Sequence, residues 1–329
     1  MTWVAGIDGG GTSTRLQVRD AQNAVLSSAE FGPFNIASIG EQAFCQRLDE
    51  LWAACPALAD CAALCIGGAG VSSPKARQLL EASLAQRGLA GALMLCSDFE
   101  IALRGAMDGP GCILIAGTGS VGFGRNTAGQ TARVGGWGHL IDDCGSGYAL
   151  GRAALALAVQ TADGRADAQT LLKAVYQATG SQDVQGILNY VYYSGQDKSA
   201  IAALAKAVLA CAQAGDEASL AILRQGAAEL ARIAQALSKR LDMPRPRLAL
   251  LGGLLTHESP YRVLAFEALL PYAQTVSAQH DALWGAAQLA YGCRFTMRMR
   301  SIFRFTVGRA HCCRIRCASR PAPILRSWC

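Results

Sequence analysis

Apolar and polar positions switch period repeatedly along the chain, and the switches mark out its elements. Trp3 to Asp8 is an apolar run that ends in a turn at Gly9-Gly-Gly-Thr12. Thr14 to Asp20 alternates as a half-buried strand does, and after a turn at Asn23 the segment Val25 to Phe31 completes a three-stranded meander. The period then becomes helical over Glu41 to Ala54 and Pro74 to Gln86, on either side of a strand at Ala62 to Ile66. Ala92 to Cys96 reads as a further strand, leading through Ser97-Asp98 into a helix over Phe99 to Ala106 with Ser97 or Asp98 as its cap.

The same plan then starts again. Cys112 to Ala116 is an apolar strand, Gly117-Thr-Gly-Ser120 a turn, Val121 to Asn126 a second strand, and Ala132 to Val134 begins a third after a turn at Thr127 to Gly129. Helices are expected over Tyr148 to Gln160, Ala168 to Thr179, Lys198 to Gln213 and Glu217 to Leu241, the last stopped by Pro244 and Pro246. Arg247 to Leu251 is a buried strand opening into Gly252-Gly253, and a helix over Ala282 to Tyr291 closes the body. Two strand, glycine turn, strand, strand units point to two copies of one α/β unit. Meanders mixed with helical crossovers imply mixed sheets covered on both faces, in two lobes.

Length agrees, since 329 residues suffice for two domains of ordinary size. Their expected spans are 1–108 and 109–292, with the closing helix 282–291 free to pack back on the first lobe. The 36 glycines call for many tight turns. No run of 18 apolar residues occurs, so no membrane span is expected. The N-terminus enters a strand at once, without the basic and apolar regions of a signal peptide, and cytoplasmic residence is the expectation.

The net charge of +6 would suggest nucleic acid if it were spread over the body. It is not. From Cys293 onward there are nine arginines and no acidic residue, and without them the +6 becomes −3. The tail 293–329 also carries five cysteines in no zinc-site spacing, resembles out-of-frame translation of a GC-rich gene, and is expected to be disordered. The other eight cysteines (Cys45, Cys55, Cys61, Cys65, Cys96, Cys112, Cys144, Cys211) lie mostly in apolar stretches and read as reduced core thiols.

The turns carry the candidate chemistry. In Asp8-Gly9-Gly10-Gly11-Thr12, glycines let backbone N–H groups curl around an anion, and Thr12 and Ser13 add hydroxyl donors. Asp8 is placed to hold a hydrated Mg²⁺ beside a polyphosphate, although a plain glycine hairpin also explains the pattern. Gly117-Thr118-Gly119-Ser120-Val121-Gly122 matches the dinucleotide fingerprint only formally, because a strand follows it where the fingerprint needs a helix. No Walker A sequence occurs either. A second phosphate-binding hairpin facing the first accounts for both failures. Gly252-Gly253 permits close approach to a flat ring such as adenine, or is an ordinary strand-to-helix turn. Asp98 can accept the proton of an attacking hydroxyl, or cap its helix. Gly135-Gly136-Trp137-Gly138-His139 and Asp142 to Gly147 offer a stacking plane and hydroxyl acceptors that suit a sugar.

These segments resemble the BadF/BadG/BcrA/BcrD-type ATPases, within the superfamily of actin, hexokinase and heat-shock chaperones, and most of all the N-acetylglucosamine and glucosamine kinases. The resemblance runs over residues 4 to 292, on Gly6 to Thr14, Ser97-Asp98, Ala116 to Ser120, Gly135 to His139, Asp143 to Tyr148 and Asp281 to Ala287. It implies a two-lobed actin-like ATPase (ribonuclease H-like) fold of duplicated mixed-sheet α/β domains with a cleft between, and an ATP- and Mg²⁺-dependent kinase acting on an amino sugar. It also implies Asp98 as base, Thr12 and Thr118 as phosphate ligands, and Asn35, Gly119, Ser120, Trp137, Gly138, His139 and Asp143 as sugar contacts. Cys144 stands where relatives usually carry Glu or Gln. A small-molecule sugar is the implied partner, with no nucleic acid and no membrane, and a homodimer is left open. The family's other branch, ATPase activators of radical dehydratases built around a bridging iron–sulfur cluster, is the alternative; it needs cysteines beside a glycine-rich helix start, where the second lobe offers Cys144 and Cys211.

Overall fold

The computed structural model describes residues 3–293 apart from Ser72 and Gln196. The expectations for the tail concern residues that, Cys293 excepted, lie outside the described ones.

The first sheet is built from β1 (Val4–Gly9), β2 (Thr14–Arg19), β3 (Val25–Phe31), β4 (Ala63–Gly68) and β5 (Ala92–Cys96), in the order β3-β2-β1-β4-β5. β1 pairs antiparallel with β2 and parallel with β4. The second sheet contains β6 (Gly111–Ala116), β7 (Ser120–Arg125), β8 (Thr131–Gly135), β9 (Arg247–Leu251) and β10 (Gln274–Val276), in the order β10-β9-β6-β7-β8. Read from β8, that is the first sheet's order and direction pattern again, with β6 antiparallel to β7 and parallel to β9. The duplication legible in the turns is therefore a duplication of topology.

Helices α1 (Ile36–Ala54) and α2 (Pro74–Gln86) belong to the first lobe. α1 starts earlier than its helical period does, across a kink at Gly40, whose φ of 78° only glycine adopts cheaply. α3 (Asp98–Ala106) has no lobe of its own. Ile101 packs with Val4 and Cys65 of the first sheet, while Ala102, Leu103 and Ala106 pack with Ile113, Phe123 and Ala249 of the second. Each large apolar side chain buried this way contributes about 1.5–3 kcal/mol, so α3 is held from both sides.

Between β8 and β9 the second lobe carries a helical block: α4 (Gly147–Ala162), α5 (Gln169–Thr179), α6 (Val184–Leu188), α7 (Lys198–Ala203), α8 (Ala205–Gln213) and α9 (Glu217–Arg240). The single helix expected over Lys198 to Gln213 is two, divided at Leu204. α6 and the π-helical turn Asn189–Tyr193 after it were not legible as periodic segments. Nor were α10 (Gly253–Thr256), α11 (Pro260–Leu269) and the three-residue β10.

A last helix, α12, begins at 282 and continues through the described residues. Its Ala286 and Ala290 pack against Val4, Ala63 and Ala92 of the first sheet, returning the chain to its beginning. The approach is so close that a Cβ on Gly285 would lie 2.0 Å from the Ile101 carbonyl oxygen, and one on Gly6 would lie 2.5 Å from the Ala287 nitrogen. Among the described residues, no helix is long and apolar enough to cross a membrane. Six of the eight body cysteines are buried free thiols as expected; Cys45 is only half-buried, and Cys144 is exposed in a loop.

Candidate functional site

Asp98 sits at the first turn of α3, but it does not cap the helix. Ser97 does: its Oγ accepts from the Glu100 amide at 3.2 Å, and a Glu100 carboxylate oxygen accepts from the Ser97 amide at 2.7 Å. The Asp98 carboxylate is thereby left for other work. Burial raises its proton affinity above the ordinary carboxylate level, and the backbone amides of Asp98 and Phe99 oppose that shift. The negative charge of Asp8 pushes with burial, and the positive charge of Arg133 pushes against it.

Asp8 is the last residue but one of β1, where the hairpin register sets it opposite Arg15. Arg15 donates to Asp8 Oδ2 at 2.7 Å and to Asp281 Oδ2 at 2.8 Å, just ahead of α12. One carboxylate oxygen of Asp8 is thus committed to a guanidinium, and Oδ1 remains. A single carboxylate oxygen fits Mg²⁺, which keeps most of its waters and takes phosphate oxygens as further ligands. In the turn after Asp8, the Gly10 amide donates to the Ser13 carbonyl at 2.8 Å, and the Gly10 carbonyl accepts from Phe34 at 3.0 Å. Gly11 and Thr12 are exposed at the tip. Gly9 lies on the buried Phe34 ring, which leads to Asn35, whose side-chain oxygen faces Gly70.

The second hairpin is tied to a helix instead. The Gly147 amide donates to the Gly117 carbonyl at 2.7 Å, and the Tyr148 amide to the Thr118 carbonyl at 3.2 Å, at the start of α4. Ser120 Oγ donates to the Cys144 carbonyl at 2.7 Å, so it is the backbone of Cys144 that touches this hairpin. Gly119 backs onto Asp143, a buried residue in the left-handed region (φ 58°); a Cβ there would sit 2.9 Å from Asp143 Oδ2.

Gly117 and Thr118 line a cavity of about 450 Å³ with Gly253, Lys206, His257 and Glu258. A Cβ added at Gly117 would meet nothing within 4 Å, so packing within the protein does not require glycine there. Gly252 does not line this cavity: at φ 86° it presses on the end of β6, where a Cβ would lie 2.3 Å from the Ala116 carbonyl oxygen. Of the expected site residues the cavity gathers Gly117, Thr118 and Gly253; those of the first hairpin are not among its walls. Trp137 lines a separate hollow of about 440 Å³ with Ile141, Asp142 and Cys144, and is itself 61% exposed. His139 packs edge-on against Tyr148, with ring centroids 4.7 Å apart.

A model of the BadF/BadG/BcrA/BcrD ATPase family matches residues 5–290. The chain belongs to that family. Among curated relatives of this ATPase, the N-acetylmuramic acid/N-acetylglucosamine kinase of Clostridium acetobutylicum is 33% identical over 302 residues, covering 88% of this chain and 98% of the relative. The N-acetyl-D-glucosamine kinase of Dictyostelium discoideum is 25% identical over 307 residues, covering 87% and 96%. A crystal structure of a candidate N-acetylglucosamine kinase from Chromobacterium violaceum superposes with a TM-score of 0.69 at 28% identity, over 88% of this chain and 99% of that one. The two-lobed actin-like ATPase architecture is shared with it.

Two residues of this ATPase's site escaped the reading of single segments. Arg15 was findable, because a hairpin turning at Gly9 to Thr12 sets position 15 against position 8. Lys206, in the cavity wall, lies within a run of alanines and leucines that carries no sign of a ligand.

Proposed function

We propose that this ATPase transfers the γ-phosphoryl group of Mg·ATP to the 6-hydroxyl of an amino sugar, N-acetyl-D-glucosamine or D-glucosamine. The supporting observation is the Ser97–Glu100 capping box, which relieves Asp98 of a helix-capping role and leaves a carboxylate of raised proton affinity. The kinases named among its relatives point the same way.

In this reading the nucleotide base enters the cavity walled by Gly253 and Lys206, and the phosphates run past Gly117 and Thr118 toward the cleft. Glycine at 117 lets a phosphate approach the backbone, and the Thr118 and Thr12 hydroxyls donate to phosphate oxygens. Asp8 would hold the Mg²⁺, which when bound would neutralise charge on the phosphate chain. Asn35, Gly119, Ser120, Trp137, Gly138, His139 and Asp143 contact the sugar. Asp98 takes the proton of O6 as the new O6–P bond forms and the bond from the γ-phosphorus to the β–γ bridging oxygen breaks, releasing ADP. Closure of the lobes excludes water, which would otherwise compete as acceptor.

The test is a coupled ADP-release assay with N-acetylglucosamine, glucosamine, N-acetylmuramic acid, N-acetylmannosamine and glucose. Turnover with an amino sugar at least about a hundredfold above the sugar-free rate, and a 6-phosphate product by NMR, is the expected result. Turnover with none of the five would sink the reading. The iron–sulfur alternative has weaker footing: Cys144 is an exposed loop residue, Cys211 is buried on α8, and no three potential metal ligands gather among the described residues. Iron and labile sulfide in anaerobically purified protein would restore it.

A further inference from the structure

Arg133, in the middle of the edge strand β8, belongs to no segment that suggested chemistry. Its Nε donates to the Gly135 carbonyl at 3.1 Å, and its Nη2 bonds the Gly136 carbonyl. Gly135 and Gly136 have φ of 73° and 74°, so the guanidinium fixes a left-handed turn that only glycines form readily. The guanidinium carbon lies 4.2 Å from the Trp137 ring centroid and 5.1 Å from that of Phe99, the neighbour of Asp98. Among the described residues Arg133 has no carboxylate within ion-pair distance.

A half-buried arginine without a direct ion pair is costly to keep, and an edge strand does not need one. Its position has a specific effect, however. Trp137 projects from a glycine-rich loop with little to hold an indole, and one face of the ring is already covered by the guanidinium. The Trp137 amide donates to Asp142 Oδ2 at 3.1 Å, which fixes the backbone and leaves the ring angle to Arg133. A stacking ring serves a sugar only when its plane is preset, because ordering it on binding would subtract from affinity.

We infer that Arg133 is a positioning residue for sugar binding: it clamps the Trp137 ring from below, so that the opposite face meets the sugar, and ties that loop to the helix bearing Asp98 through Phe99. This rests on the amino-sugar kinase reading. Cation–π contact and a planar fork are both needed, and lysine supplies only the charge.

The experiment compares Arg133→Met, Arg133→Lys and Trp137→Phe, with the double variant Arg133→Met/Trp137→Phe, all in the full chain. Arg133→Met should raise KM for the sugar about tenfold and leave KM for ATP within about twofold of wild type; kcat is compared on the alkaline side of the Asp98 titration, because the charge of Arg133 also bears on that carboxylate. Arg133→Lys should recover only part of that loss. In the Trp137→Phe background, Arg133→Met should add little further, since the two residues act as one. Fully additive losses, or equal losses in the sugar and ATP constants, would overturn the inference and reduce Arg133 to an edge-strand brace. Should Arg133→Met fail to fold, the lysine variant alone decides: an unchanged KM for the sugar overturns it. The kinase reading fails separately, by absence of wild-type turnover with any sugar.

Discussion

The two glycine hairpins occupy equivalent places in the two lobes and are anchored by different physics. The first hangs between surface groups: its acidic residue is pinned by Arg15, itself shared with Asp281, and its tip is exposed. The second is bonded into the first turn of α4, backed by buried Asp143, and opens on a cavity. What separates the lobes is the material after each meander. One helix follows β3, while a block from α4 to α9 follows β8 and supplies the cavity wall. Duplication gave two similar cradles; the helical block backs only one of them with a cavity, the one proposed to take the nucleotide.

The sharpest way to break this division of labour is at the acid on α3, the helix held between the two sheets. Asp98→Asn should lower kcat by roughly 10²–10⁴ while nucleotide binding persists. Because the folded protein raises the proton affinity of Asp98, its ionised form costs stability at neutral pH. Removing the charge should therefore leave Tm unchanged or higher. In the wild type, kcat/KM should fall on acidification at a higher pH than an ordinary carboxylate would cause, since the base is lost as it takes up its proton. A pH profile flat through the weakly acidic range, or near-normal turnover in the asparagine variant, would remove Asp98 from the chemistry.

The hairpins can then be set against each other. The structure identifies which glycines report on ligand and which on the protein itself. Gly119→Val would strike Asp143, and Gly10→Val the Ser13 carbonyl, so both disturb the fold whatever binds. Gly11 and Gly117 meet nothing within 4 Å, and neither has a left-handed φ. Gly117→Val should weaken Mg·ATP binding by an order of magnitude or so, the equivalent of one to two hydrogen bonds, without lowering Tm. Gly11→Val should do less to Kd and more to kcat, if the first hairpin acts mainly on the group being transferred. Calorimetry giving equal losses of affinity in the two would erase the contrast.

The smallest expected effect concerns support rather than chemistry. Buried Tyr261 on α11 donates to the Gly145 carbonyl at 2.6 Å, bracing the loop that follows Asp143. Tyr261→Phe leaves that buried carbonyl without a partner and should lower stability by about 1–3 kcal/mol, with little change in nucleotide affinity. Denaturant titration beside calorimetry reads both at once.

Much of this was legible before any coordinates, because turns and periodicity are local. The two meanders, the strand into Gly252, and the long α9 with Ile222, Leu223, Leu230 and Leu237 on one face all announce themselves within a short window. α11 and β10 did not: ten and three residues, respectively, leave too little period to read against their flanks. Arg15 is a cross-strand fact, available once the hairpin was drawn. Lys206 and Tyr261 are tertiary facts, each meeting its partners through distant segments, so no local pattern marks them; Arg133 meets Gly135, Gly136 and Trp137 nearby, but only the folded turn and the distant Phe99 show where its guanidinium lies. Asp98 stands out in the sequence as a candidate base or cap, while its freedom from capping depends on the geometry of Ser97 and Glu100.

The glycine seam between α3 and α12 bears on the order in which this chain is made. Gly105 has the Asp281 carbonyl oxygen 2.0 Å from its missing Cβ, and the apolar face formed by Val4, Ala63, Cys65 and Ala92 is covered by Ala286 and Ala290. That face leaves the ribosome about two hundred residues before its cover does. Until α12 is made, that apolar side of the five strands lacks the partner it has in the folded chain. The helix that carries Asp98 gains its contact with the Asp281–Gly285 segment only then, so packing beside the candidate site is completed late in synthesis.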